Sequence, residues 1–369
     1  MTGERKNTMS KKPNIIFILA DDQGAWSLGS AGNDEIITPN LDFMADNGMR
    51  FENFYCASPV CSPARASILT GMMPSGHGVQ DWLRAGNVDR EKMKGHPLQA
   101  LYEEDDKPVD YLEDFKTYTD ALAAGGYTCA LSGKWHLGDS IRPKHGFSRW
   151  YSIGRGGCEY FHPDVVENGT IELKDEYITH LITDKAVEFI GELAEEENPF
   201  YLSVHHTAPH SPWDANNHPK EYLDLYKNCD FHSCPIEPLN PNQINSSPYA
   251  DCEEKRRENI RGYYAAITAL DEGVGKILKK LEETGSAEDT LVIFTADNGV
   301  SMGHHGCWGK GNATFPQNMF ETSVKIPFIA YRKGFSPAVS IPQGLYSHYD
   351  LYATLLEYAG ITSAPNEKS

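Results

Sequence analysis

The 369-residue chain contains no apolar run approaching the roughly 20 residues that span a bilayer, which removes a helical membrane span from consideration. Its eight cysteines (56, 61, 129, 158, 229, 234, 252 and 307) include no C-x-x-C pair, so zinc ribbons and thioredoxin-like redox motifs drop out. Cys229 and Cys234 are close enough along the chain to pair if the compartment is oxidising. No repeat of 20–50 residues is present, which excludes solenoids and propellers. Positive charge is scarce: 33 Lys and Arg stand against 52 Asp and Glu, a formal net charge of −19. A phosphate backbone demands a basic surface, so no nucleic-acid partner is expected. A small anionic substrate remains compatible, because a compact positive site fits inside an acidic shell, and a cation such as calcium suits an acidic protein. Finally, the polar N-terminus leads into a short apolar run, Ile15 to Ala20, too brief for the apolar core of a signal peptide. As it stands the sequence reads as cytoplasmic; a leader removed upstream would make it periplasmic or secreted.

What the chain does contain is an alternation of strand-like and helix-like segments. "NIIFILA" (14–20), Tyr127 to Leu131, "PFYLSVHH" (199–206), "TLVIFTADNG" (290–299) and "VKIPFIAY" (324–331) are apolar runs of the kind buried on both faces of a sheet. Between them, "TYTDALAAGG", "EYITHLITDKAVEFIGELAEE" (176–196) and the segment from Glu254 to Glu283 carry apolar residues three or four apart, the spacing of amphipathic helices. The alternation predicts an α/β fold, a largely parallel central sheet with helices on both faces. Residues 1–12 read as a flexible segment, and 13–369 as one domain with excursions at 86–115 and 211–253. The first, with Glu103-Glu104-Asp105-Asp106, looks solvated; the second, rich in Pro, Asn and Ser, is long enough to be functional and is read as the rim of a pocket.

Polar residues gather where strands end. The first strand runs into Asp21-Asp22, and a later one into Asp297-Asn298. In open α/β sheets ligands bind beyond the carboxyl ends of strands, so these four oxygen donors converge into a divalent-cation site. All-oxygen ligation favours calcium or magnesium over zinc, and calcium is the first expectation. Lys134 and His136 follow another strand, His210 another, and Lys310 lies in a glycine-flanked loop. Cys61-x-Pro63-x-Arg65 opens a small-residue helix, with Arg65 one turn from Cys61 on the same face. Arginine, two lysines, two histidines and a cation together suit a tetrahedral oxyanion.

The motifs "NIIFILADDQG", "CSPARASILTG", "GKWHLG", "PHSP", "TADNG" and "WGKG", in this order, closely resemble those of the type I sulfatases of the alkaline-phosphatase superfamily, over residues 13 to about 360. The resemblance implies an alkaline-phosphatase-like fold and hydrolysis of a sulfate ester, a small molecule or oligosaccharide. It implies that a formylglycine-generating enzyme oxidises Cys61 to formylglycine, whose hydrated aldehyde attacks sulfur. By the same resemblance Asp21, Asp22, Asp297 and Asn298 match the metal ligands, with the modified Cys61 as a further one. Lys134 and Lys310 match the residues that grip sulfate, and Arg65 holds the diol. His210 matches the acid that protonates the leaving oxygen, and His136 the base that expels sulfate; Asp297 assists deprotonation of the attacking oxygen. Trp82, Arg84, Arg155, His206 and Trp308 are candidate contacts to a sugar sulfate. Relatives usually continue into a smaller C-terminal subdomain, which this sequence is expected to lack. The alternative readings are a phosphonate monoester or phosphodiester hydrolase of the same superfamily, and a non-catalytic calcium-binding relative.

Overall fold

The computed structural model describes residues 12–362; the N-terminal segment expected to be flexible falls outside these but for Lys12. In chain order the strands are β1 (Asn14–Ala20), β2 (Met49–Phe51), β3 (Phe54–Tyr55), β4 (Thr128–Gly133), β5 (Phe147–Ile153), β6 (Asp164–Glu167) and β7 (Thr170–Leu173). They continue with β8 (Phe200–His205), β9 (Thr290–Ala296), β10 (Ser301–Met302), β11 (Trp308–Gly309), β12 (Phe328–Tyr331), β13 (Val339–Ile341) and β14 (Tyr346–Ser347). The helices are α1 (Pro39–Asp46), α2 (Cys61–Thr70), α3 (Pro74–His77), α4 (Tyr118–Ala124), α5 (Ile178–Leu193), α6 (Lys220–Leu225), α7 (Glu253–Glu283), α8 (Glu321–Val324) and α9 (Tyr349–Tyr358).

Ten strands form one sheet in the order β13-β2-β12-β9-β1-β8-β4-β5-β6-β7. Its centre, β9-β1-β8-β4-β5, is parallel, while β12 runs antiparallel to both neighbours and β5-β6-β7 meander antiparallel at one edge. Every residue of β1 is buried, as its unbroken apolar sequence demands of a strand covered on both faces. One group of helices joins α1 to α7 and α7 to α5, which lies on β4 and β8; the other joins α2 and α4 to α9, with α4 on β4. A capping box at Thr117 and Asp120 starts α4.

Two expectations need correction. The segment 324–331 is a strand only from Phe328; its first residue closes the short helix α8, whose amides turn back on Phe320 and Glu321. The excursion at 86–115 is not wholly solvated: Tyr102 and Leu112 reach the core. Asp105 is buried too, because its carboxylate accepts the backbone N–H groups of Asn87 (2.6 Å) and Val88 (3.4 Å). The excursion at 211–253 contains α6 and builds a satellite core. Trp213, Tyr226, Phe231 and Cys234 pack with Ile260, Tyr263, Tyr264 and Ile267 of α7 and with Val300, Met302 and Trp308 around the β10–β11 hairpin. Cys229 and Cys234 are both free thiols. No described helix is long and apolar enough to cross a membrane.

Candidate active site

Four adjacent central strands, β9, β1, β8 and β4, deliver their polar residues to one end of the sheet. Asp21 and Asp22 follow β1, Asp297 and Asn298 follow β9, Lys134 and His136 follow β4, and His210 lies five residues beyond β8. The backbone is specialised there. Gly133 has φ 116° and is so close to the His205 carbonyl that a Cβ would sit 1.9 Å from its oxygen. Asp22 (φ 64°) and His136 (φ 58°) hold left-handed conformations that side chains other than glycine rarely adopt, the kind of local strain that concentrates at working sites.

Cys61 is the first residue of α2, fully buried, after Val60 in extended conformation. All ten residues of this helix are buried, which its Ala, Ser and Pro content permits at close quarters, and Gly71 ends it in the left-handed region. Lys310 Nζ lies 2.8 Å from Cys61 Sγ and 2.8 Å from Asp22 Oδ1. Burial pushes the Cys61 thiol up to about 12, and the pull of Lys134 and Lys310 does not reverse this. As a plain thiol it is protonated at neutral pH and is no thiolate nucleophile.

Arg65 binds Asp297 through Nε (2.9 Å) and Nη2 (2.8 Å), and its Nη1 donates to the Lys134 carbonyl (2.9 Å). The second oxygen of Asp297 accepts from the backbone of Asn298 (2.8 Å) and Asp22 (3.2 Å). Lys134 pairs with Asp21 Oδ2. Burial pushes Asp21 up, but Lys134, His210, Arg65 and Lys310 outweigh it and hold this carboxyl well below its usual range. Burial and the neighbouring Asp21 push Asp297 the other way, up.

The two histidines differ in tautomer, because a carbonyl can only accept. His210 faces the Ser211 carbonyl through Nδ1 (2.6 Å), so Nδ1 carries a proton and Nε2, 3.6 Å from Asp22 Oδ2, is the reactive nitrogen. His136 faces the Leu83 carbonyl through Nε2 (3.0 Å), so Nδ1 is its acceptor, buried and without a partner among the described residues. Burial, then Lys310, lowers the His210 pKa; burial, then Lys134 and Arg65, holds His136 well below the usual imidazole range. Gly156 leaves room for the His136 ring: a Cβ there would fall 2.1 Å from Nε2.

Ligand atoms of Asp21, Asp22, Cys61 and His210 all lie within 4.8 Å of one another. Asp21 Oδ1 and Asn298 Oδ1 are buried with no hydrogen-bond partner among the described residues, while Asn298 Nδ2 donates to Asp22 Oδ1 (2.8 Å). Buried oxygens without donors are costly unless something positive meets them. The residues present therefore fit a hard divalent cation.

Of the candidate sugar contacts, Trp82 and Arg84 are exposed beside the site: the Trp82 ring stands edge-on to His136 at 5.9 Å, with Arg84 5.7 Å from the indole. Arg155 and Trp308 are committed elsewhere: Arg155 is paired with buried Asp164 (2.9 Å) over the Tyr102 ring, and Trp308 packs in the satellite core. His206 is fully buried, with neither ring nitrogen hydrogen-bonded among the described residues. One residue had no signal in the sequence. The Gln243 side chain accepts from the Trp308 N–H and donates to the Trp308 carbonyl (both 3.0 Å), two residues before Lys310. Such a contact between a polar loop and a hairpin leaves no spacing to read.

The family described as Sulfatase matches residues 13–361. An N-acetylglucosamine-6-O-sulfatase of Bacteroides thetaiotaomicron is 27% identical over 95% of this chain and 68% of its own length. An N-acetylgalactosamine-6-sulfatase of Rattus norvegicus is 30% identical over 95% of this chain and 62% of its own. A solved structure in complex with its substrate D-glucosamine-2-N,6-O-disulfate superposes with a TM-score of 0.74 at 25% identity, covering 97% of this chain and 78% of the other. The chain thus spans about two thirds of the length of these curated relatives.

Proposed function

The chain belongs to the sulfatase family, and from that premise we propose that it hydrolyses the sulfate ester of a sugar to the free hydroxyl and inorganic sulfate. The observation that carries this reading is the convergence, from the ends of the neighbouring strands β1 and β8 and the start of α2, of Asp21, Asp22, Cys61 and His210 within 4.8 Å. Lys134 pairs with Asp21 and Lys310 with Asp22, while Arg65 pairs with the neighbouring Asp297.

Asp21, Asp22, Asp297 and Asn298 would hold the divalent cation, calcium in preference to magnesium, with residue 61 beside it. Bound there, the cation would polarise oxygens and stabilise negative charge. Oxidation of Cys61 to formylglycine by a generating enzyme would supply an oxygen nucleophile that the neutral thiol does not. The protein's own groups supply the rest. Three carboxylates and three permanent cations balance, so a dication leaves the site positive and attracts an anionic ester. Lys310, in contact with residue 61, and Lys134 neutralise charge on the sulfate oxygens. Arg65, fixed by Asp297 and the Lys134 carbonyl, presents its charge one turn from residue 61 without having to reorganise. His210, anchored through Nδ1, protonates the leaving oxygen from Nε2 in its imidazolium form, whose second proton the Asp22 carboxylate 3.6 Å away helps to hold against the effect of burial. His136 is already anchored through Nε2 and takes a proton at Nδ1.

The test is sulfate release from sugar sulfates and nitrophenyl sulfate by protein co-expressed with a formylglycine-generating enzyme, with peptide mass spectrometry at residue 61. Conversion at Cys61 together with turnover, both abolished in Cys61→Ala, is the expected result. Full activity in Cys61→Ala, or turnover of phenyl phosphonates in preference to every sulfate, would overturn the reading.

A further inference from the structure

In a chain of net charge −19 a guanidinium at the surface readily finds a carboxylate. Every other described arginine does, lying within ion-pair distance of an Asp or Glu. Arg84 does not. Among the described residues no carboxylate lies within 4 Å of it; the Trp82 ring is 5.7 Å from the guanidinium carbon, and both side chains are exposed. This pair stands at the sulfate site: Trp82 meets the His136 ring at 5.9 Å, and the residue between them, Leu83, gives the carbonyl that fixes the His136 tautomer. Arg155 shows the contrast. It precedes Gly156, which lies against the His136 ring, yet its charge is spent on the buried carboxylate of Asp164.

A guanidinium that lies over an indole at 5.7 Å and meets no carboxylate keeps its forked N–H donors open to two oxygens of a planar or tetrahedral anion. The indole face beside it suits the C–H face of a sugar ring. Nothing in the neutral part of a sugar calls for a second permanent cation outside the group that holds the reacting sulfate. Resting on the sulfatase reading above, we propose that Trp82 and Arg84 form a rim subsite for a second anionic group on the substrate, a sulfate or a carboxylate on the same sugar or its neighbour. The enzyme would then select doubly charged sugar sulfates over singly charged ones.

Three probes separate the sources of the second charge: a monosulfated N-acetylhexosamine, the same sugar with a second sulfate, and the same sugar joined to a uronic acid. The readout is the ratio of kcat/KM for each doubly charged probe to that for the monosulfated one, in wild type and Arg84→Gln. A charged hydrogen-bonded contact of this kind corresponds to a fall in that ratio of about 10- to 100-fold, carried by KM. Arg84→Lys, which keeps the charge and loses the fork, should retain part of the preference. Whichever doubly charged probe shows the Arg84-dependent ratio identifies the group recognised. A ratio unchanged in Arg84→Gln for both probes overturns the proposal, as does an equal loss on all three. Calorimetric titration of the same probes into protein that keeps cysteine at position 61 needs no turnover. Tighter binding of a doubly charged probe that is lost in Arg84→Gln supports the subsite even if no ester is hydrolysed, in which case only the hydrolytic reading falls. A wild type that neither binds nor turns over any probe overturns both.

Discussion

Replacing Gln243 by Ala tests whether the segment 240–247 positions the active-site loop or merely covers it. The substitution removes the acceptor of the Trp308 N–H and one donor to the Trp308 carbonyl, both at 3.0 Å. The carbonyl keeps the Ser247 hydroxyl at 2.8 Å, so only the N–H of a residue 4% exposed is stranded. An unsatisfied buried donor costs about 1–3 kcal/mol, and the second lost bond adds about 1 kcal/mol, giving roughly 2–4 kcal/mol of local destabilisation. Lys310 follows two residues later, its Nζ 2.8 Å from both Cys61 Sγ and Asp22 Oδ1. Displacement of a reacting group by about 1 Å costs about 100-fold in rate, so a fall in kcat of about 10- to 100-fold is expected, with KM changed far less. Steady-state hydrolysis of nitrophenyl sulfate gives the rates, and calorimetric unfolding gives Tm, which should drop by several degrees. A lowered Tm with kcat within twofold of wild type would refute the positioning argument and leave the contact a purely structural one.

Arg65→Met strands the buried carboxylate of Asp297, which should cost about 3–5 kcal/mol in denaturant unfolding as well as activity; an Arg65→Met protein as stable as wild type would contradict the ion-pair geometry. Calorimetry with calcium chloride should show one site weakened at least about 10-fold in Asp21→Asn, and absence of calcium or magnesium binding in wild type would remove the metal assignment. His210→Ala should lose about 100- to 10,000-fold on sugar sulfates and much less on nitrophenyl sulfate, whose leaving group needs no acid, whereas His136→Ala should lose similarly on both; the opposite pattern would exchange the two roles. Burial lowers His145, but hydrogen bonds to Asp110 (2.9 Å) and Asp120 (3.3 Å) more than compensate and raise it to about 9. The protonated folded form is thus favoured: the contribution, about 1–2 kcal/mol after allowance for solvent near the two carboxylates, is complete below about pH 6.5 and vanishes as pH rises through 9. Urea unfolding of wild type and His145→Gln should differ at pH 6 and converge at pH 10; a constant difference would refute it.

The amino-acid sequence by itself determined the central strands, the long helix α7 and the polar residues at their ends. These features are local: β1 is a continuous apolar run, α7 repeats its apolar residues every third or fourth position, and Asp21-Asp22 or Asp297-Asn298 sit directly against the strand that carries them. The edge meander β5-β6-β7 and the two-residue strands were not legible: β6, β7 and the shortest strands span only two to four residues, exist through their pairing partners and carry little pattern of their own. Only the tertiary structure decided how each site residue is held. The proton of His136 is fixed by the carbonyl of Leu83, 53 positions away, and Arg65 is oriented by Asp297, 232 positions away. The same holds for the candidate sugar contacts. Arg155 and Arg84 are alike as letters, but Arg155 meets Asp164 across the β5–β6 turn while no described carboxylate approaches Arg84. Whether a guanidinium is spent on the fold or left for a ligand depends on which carboxylate the folded chain brings within about 4 Å, and sequence order does not encode that distance.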